Sequence, residues 1–159
     1  MQQSPEGLLV MAQIKGKFGR QYRGIGYNAL VTVEVAEDTQ SLCDEVRFAD
    51  NWHGYAEHWI EDGDPYWRQG AVIGVQYALR LAGQAGRCIT VISVEGDYTV
   101  TNPTIIGAAA IDGVWRSIGF TPLPDEVERI NKIVFSSWQD CPRDGFPTEL
   151  PDFERRTIP

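Results

Sequence analysis

The chain has 159 residues and a formal net charge of −8 at pH 7, and 43% of it is hydrophobic. That length suits one domain with a real core and is short for two, while the composition excludes a disordered chain. No apolar run approaches the roughly 20 residues that cross a bilayer, so no membrane partner is expected. The net acidity excludes wholesale wrapping of nucleic acid, which needs a broad basic footprint.

The opening "MQQSPEGLLVMAQIKG" has no basic n-region and no small-residue cleavage site, so no secretory leader is read and the expected location is cytoplasmic. Val10, Ala12, Ile14 and Phe18 then alternate with Gln13, Lys15 and Lys17, the period of two of a half-buried strand. Ala29, Val31, Val33 and Val35 alternate likewise with Thr32 and Glu34. The glycine-rich "GRQYRGIGYN" between them should turn the chain, making a long hairpin. Val46 to Ala49 reads as a short third strand, followed by the irregular, acidic "DNWHGYAEHWIEDGD".

Asp64-Pro65 predicts a helix start, with the aspartate as N-cap and proline at the first helical position. Ala71, Val75, Ala78, Leu79 and Ala82 give that helix one apolar face, and Gly83 and Gly86 can stop it. "RCITVISV", 87–94, is apolar on both faces apart from Thr90 and Ser93, as a covered central strand would be. Asn102-Pro103 opens a second helix in the same manner, with Ala108, Ile111, Trp115 and Ile118 on one face. Gly107, Ala108, Ala109, Ala110 and Gly113 make another side of it unusually small, which permits close packing on a sheet or on the first helix. Beyond Gly119, "LPDEVERINKIVFSSW" predicts a short helix and one more strand, and the last 21 residues read as a tail that lies on the body or moves freely. The sum is an α+β fold, β-β-β-α-β-α, with helices on one face of a mixed sheet and a C-terminal extension.

The three cysteines, Cys43, Cys88 and Cys141, are odd in number and widely spaced, which predicts no disulfide framework and no zinc or redox pair. Cys88, at the start of an apolar strand, reads as a small buried hydrophobe. His53 and His58, with Glu57, Glu61, Asp62 and Asp64 nearby, have the ligand types of a metal site. A five-residue spacing around Gly54 does not align two side chains on one helix face, so they read as loop histidines and no metal or cofactor is expected. Neither GxSxG nor any nameable set of nucleophile, base and acid occurs, so the chain is expected not to be an enzyme.

Charge is unevenly spread. From Gly7 to Val33 there are four cations and no acid, and from Glu34 to Asp64 ten acids and one cation. Lys15, Lys17, Arg20 and Arg23 on the hairpin could neutralise phosphates, with Tyr22 or Tyr27 stacking on an exposed base. Equally, cations on a solvated hairpin discourage edge pairing, or they dock on the acidic 34–64 segment of a neighbouring subunit. Trp52, Tyr55, Trp59, Tyr66 and Trp67 make an aromatic, acidic region, either a binding platform or a small cluster under a long loop, the second being favoured.

Two blocks carry a resemblance. "IKGKFGRQYRGIGYNALVTVEV" is similar to the opening hairpin of domain IV of elongation factor G, the bacterial ribosomal translocase, through Gly16, Lys17, Phe18, Arg20, Gln21, Gly24 and Gly26. Ala71 to Trp115 is similar to the helix, strand, turn and helix that follow in that domain, with Gly96-Asp97-Tyr98 at the turn. The resemblance covers about Val10 to Ile118. It implies the ribosomal protein S5 domain 2-like fold, whose β-α-β crossover is left-handed against the usual rule. It also implies RNA contact through a hairpin tip at Gln21 to Ala29 and a second loop at Gly96 to Thr101, where Asp97, Tyr98, Thr99 and Thr101 become candidates. Leu30 stands where the family usually carries a histidine, and the stretch from Asp50 to Asp64 is more elaborate than the family's connection. No GxxxxGK[ST] occurs, so no GTPase is inferred and translocation by the usual mechanism is excluded.

The expectation is a non-enzymatic, translation-related, stand-alone domain over residues 1–138 with a proline-containing tail at 139–159, contacting structured RNA or the ribosome through its basic tip. The alternative is a protein-interaction or homo-oligomeric module that uses the acidic aromatic segment 50–67.

Overall fold

The structure, a computed structural model, describes residues 12–36, 43, 45–55, 63–97, 99–140 and 147–156, without the side chains of 51, 53–55 and 140. Strands β1 (Gln13–Tyr22) and β2 (Ile25–Val35) form the expected antiparallel hairpin, in register from Gln13 opposite Glu34 to Tyr22 opposite Ile25. The turn is narrower than the ten-residue glycine-rich stretch suggested. It consists of Arg23 and Gly24 alone, at φ 52° and 78°. Positive φ at both central residues gives the two-residue turn whose twist matches that of its strands. Glycine adopts this conformation freely, whereas arginine does so at a cost.

Strand β3 is Arg47–Tyr55, longer than the expected Val46 to Ala49, and it runs parallel to β4 (Ile89–Gly96). Its register shifts between Phe48 and His53, so that β3 advances five residues while β4 advances two. This irregularity is why no clean alternation marks the second half of β3 in the sequence. The sheet order is β1-β2-β4-β3, with β2 and β4 antiparallel. Strand β4 is thus central, which accounts for its nearly unbroken apolar run.

Helix α1 (Asp64–Leu81) joins β3 to β4, and α2 (Pro103–Ile118) follows β4, so the fold is α+β with a mixed sheet as expected. Asn102 caps α2 as expected, its side chain accepting from the Ile105 N–H at 2.9 Å, with Pro103 in the first turn. The parallel expectation for α1 is corrected: the N-cap is Gly63, and Asp64 lies one position inside, where its carboxylate accepts from Arg68 Nε at 3.0 Å. Gly119, at φ 70°, ends α2. Residues 124–136 form one helix, α3 (Pro124–Ser136), continued by a 3-10 turn at Ser137–Asp140, so the expected further strand is absent there. Val127, Ile130 and Val134 repeat at helical spacing, and that period outweighs the short apolar run "IVF".

The core lies between the sheet and the helices. Phe18, Tyr27, Ala29, Val31 and Val33 meet Val91 and Val94 on one sheet face, and Ile105, Ile106, Ala109, Ala110 and Val114 of α2 pack onto it. The small side of α2 serves both expected purposes. Toward the sheet, a Cβ on Gly16 would lie 2.2 Å from the Ala109 carbonyl oxygen and 2.4 Å from the Gly113 nitrogen. Toward α1, a Cβ on Gly74 would lie 2.3 Å from the Gly107 oxygen, and one on Gly70 2.5 Å from the Pro103 oxygen. Backbone therefore touches backbone on both sides of α2.

The outer edge of β1 is covered. Asp112 of α2 accepts the Lys17 backbone N–H at 2.9 Å, and Arg116 donates to the Lys15 carbonyl at 3.0 Å. Such covering removes part of a pairing edge without another strand.

The described part of the C-terminal segment, 147–156, lies on the body. Phe153 is buried against Tyr77 and above Gly107. Arg129 donates to the Phe153 and Arg155 carbonyls and to Glu126 and the Tyr77 hydroxyl, and Tyr77 in turn donates to Glu126. Arg80 pairs with Glu154 at 2.8 Å.

The cysteine reading is corrected. Cys43 and Cys88 are bonded as a disulfide, with their Cα atoms 5.1 Å apart, so Cys88 is half of a bridge and not a lone buried thiol. The bond ties the connection after β2 to the start of β4, beside a backbone hydrogen bond from Cys43 N–H to the Gly86 carbonyl at 2.7 Å. Sequence spacing could not show this, because the partners are 45 residues apart and only the sheet brings them together. Disulfides persist mainly in oxidising compartments, so the cysteines no longer favour the cytoplasm. Among the described residues, no helix is long and apolar enough to cross a membrane.

Candidate functional site

The hairpin turn, the loop after β4 and the C-terminal end of α3 meet at one end of the sheet. The loop is tied to the hairpin through Asn28, whose N–H donates to the Val100 carbonyl at 2.8 Å and whose carbonyl accepts from the Thr101 hydroxyl. Val100 sits over Gly26, where a Cβ would lie 2.8 Å from a Val100 methyl. The two loops that the resemblance singled out are therefore neighbours in space.

The cations on the hairpin divide into two kinds. Lys15 is paired with Glu95 across the sheet at 3.1 Å. Lys17, Arg20 and Arg23 are exposed and have no carboxylate partner among the described residues. Arg20 lies over the Phe18 ring, 5.8 Å from its centroid, and donates to the Gly19 carbonyl. Arg23 lies 5.1 Å from the centroid of Tyr22. Both guanidinium groups are held over aromatic rings and remain open to an anion.

The tyrosines divide likewise. Tyr27 is 2% exposed, its hydroxyl donates to the Phe135 carbonyl at 2.9 Å, and its ring meets Phe135 edge-on. It is a core residue and not a stacking platform, which corrects that expectation. Burial, and next the neighbouring Tyr22, push its phenol pKa up from the ordinary value. Tyr22 is 39% exposed and stacks one face on Phe135, with ring centroids 4.5 Å apart and planes 12° apart. Phe135, which positions both tyrosines, is a residue that reading the sequence missed. Its segment resembled a strand, and no local signal placed it at the hairpin.

In the second loop, Asp97 accepts from the Thr99 N–H and hydroxyl, both at 2.8 Å, and Thr99 is exposed. Thr101 is fully buried and accepts from the Asp97 N–H at 2.9 Å, so it shapes the loop and is not presented to a ligand. Tyr98 lies outside the described residues.

The described members of the aromatic segment do not form one exposed platform. Trp67 is fully buried in the core. Trp52 is half-buried and meets Phe48 edge-on at 5.3 Å, with Arg68 over both rings at 4.7 and 4.9 Å. Tyr66 is half-buried on α1. Trp59 and the side chain of Tyr55 lie outside the described residues, as does His58. His53 belongs to β3, opposite Ser93. Among the described residues, no group of three histidine, cysteine or carboxylate side chains could hold a metal ion.

No family model and no curated protein matches the chain. Among solved structures, a protein from Thermus thermophilus is similar over 80% of this chain and 21% of its own length, at 14% identity and a TM-score of 0.48. The chain therefore spans about a fifth of that protein.

Proposed function

We propose that this domain is a non-enzymatic binding module that contacts structured RNA, in the first instance the ribosome, through the tip of its β1–β2 hairpin. The observation that carries the reading is the tip itself. Two exposed cations without carboxylate partners among the described residues, Arg20 and Arg23, stand at or near a two-residue turn, with Lys17 further down β1, and Arg23 holds a positive φ that asparagine or glycine would adopt more cheaply. Strain retained at an exposed position is a pointer to function. Arg20 and Arg23 are placed to neutralise phosphates, and the exposed part of Tyr22 lies beside them. The similarity of the hairpin to domain IV of elongation factor G supports the same partner.

Co-sedimentation with ribosomes through a sucrose cushion, at low and moderate salt, tests the reading. The wild type is expected to pellet at low salt and to be released as salt rises, because phosphate contacts displace counterions. An Arg20→Glu/Arg23→Glu variant is expected to stay in the supernatant. Pelleting that ignores salt, or no pelleting at all, removes the proposal.

A further inference from the structure

Behind the hairpin, a groove of about 300 Å³ runs between the β1 edge, α2 and α3. Its floor is apolar, built from Phe18, Ile111, Trp115 and Ile130, each less than a tenth exposed, with Phe120 at one side. Its rim is cationic: Lys17 and Arg20 line it from the strand, and Arg116 from α2. The one carboxylate on the rim, Asp112, is already engaged by the Lys17 backbone N–H and by Arg116 at 3.5 Å. Asn131 is the one uncharged polar side chain of the lining.

We infer that this groove is a binding site for a small amphipathic carboxylate, a compound with a flat aromatic or short acyl body and one anionic head. The apolar body covers the floor and removes it from water. The carboxylate faces Arg20, whose fork of N–H donors matches two oxygens, and Lys17, which adds a point charge. The volume stands at the lower end of the range for small-molecule sites, which suits a body of one or two fused rings. A neutral apolar compound would leave both cations without a partner, so the site selects for charge as well as shape.

The inference does not depend on RNA binding at the tip. Arg20 is shared by the two, while Arg23 belongs to the tip alone and Asn131 to the groove alone.

The test is a titration of the intact protein with 2-naphthoate, followed by two-dimensional NMR with backbone and indole resonances assigned. The neutral isostere 2-naphthalenemethanol is the control. Naphthoate is expected to perturb Phe18, Trp115 and Asn131, with a Kd of about a millimolar given its roughly dozen atoms. The alcohol is expected to bind about tenfold more weakly. Lys17→Gln/Arg20→Gln should reduce naphthoate to the alcohol's affinity, and Asn131→Trp, which fills the groove, should abolish binding while circular dichroism shows an unchanged fold. Arg23→Glu should leave naphthoate binding unchanged even where it releases ribosomes. No perturbation up to about 10 mM, equal affinity for acid and alcohol, or perturbations confined to another face would each overturn the inference.

Discussion

The two flanks of α2 and the two-residue turn of the hairpin both use glycine, and for opposite reasons. At Gly16, Gly70, Gly74 and Gly107 an added Cβ would strike neighbouring atoms at under 3 Å, three of the four against backbone. These glycines are there for want of space. Gly24 has nothing within 4 Å of an added Cβ and is there for its positive φ. The charges follow the same division. Arg80, Arg116 and Arg129, in the helices, each hold a carboxylate, whereas Arg20 and Arg23 hold none among the described residues. The body has committed its groups to one another, and the tip has kept its own available.

That contrast can be broken at several strengths. The largest effect is expected from the bridge that closes the end of the body opposite the tip. On the chain-entropy view, removing a cross-link between partners 45 residues apart costs about 4 kcal/mol. Cys43→Ser with Cys88→Ser should therefore move the urea midpoint far down, and unreduced, denatured protein should titrate as one thiol of its three cysteines. Three titratable thiols would mean that the bridge does not form in solution.

Gly74→Ala and Gly16→Ala come next, at about 3 kcal/mol each, because the clash is with backbone that no rotamer change relieves. Gly24→Ala should cost about 1 kcal/mol through φ alone. Equal losses at seam and tip in denaturant melts would erase the distinction drawn between them.

Arg23→Asn is expected to act in the other direction, stabilising by up to about 1 kcal/mol while weakening ribosome pelleting. A variant both more stable and fully able to pellet would show that the positive φ serves no contact.

The smallest effect concerns Tyr27. Its phenol pKa is raised by burial, so the folded state holds its proton longer than the unfolded chain does. The corresponding stability is fully present below pH 10, the ordinary phenol value, and is lost as pH rises from there through the folded-state pKa. Stability measured against pH should fall in that alkaline window for the wild type. Tyr27→Phe should flatten that part of the curve, and an unchanged slope would mean that other groups carry it.

Much of the fold was legible because its signals are local. The alternation of Ala29, Val31, Val33 and Val35, the cap at Asn102-Pro103 and the small face of α2 each follow from neighbouring residues. The full length of β3 was not legible, because its register breaks after Phe48 and takes the period with it. Asp64 was misplaced by one position, since an acid before proline suits the first turn as well as the cap. At the candidate site, the basic tip and the second loop could be named, but not which members are free. Lys15 loses its availability to Glu95, Tyr27 to Phe135 and Thr101 to Asn28, all of them partners far away in the chain.

Short stretches of chain were enough to specify the hairpin, both major helices, the covered central strand and the uneven charge, because strand period, capping and composition act over a few residues. Folding in three dimensions was needed to bring Cys43 to Cys88, to close Phe153 over Gly107, and to make β1, α2 and α3 enclose a cationic groove. Each of these joins residues dozens of positions apart, and their proximity is created by sheet order and helix packing, for which no local segment carries the information.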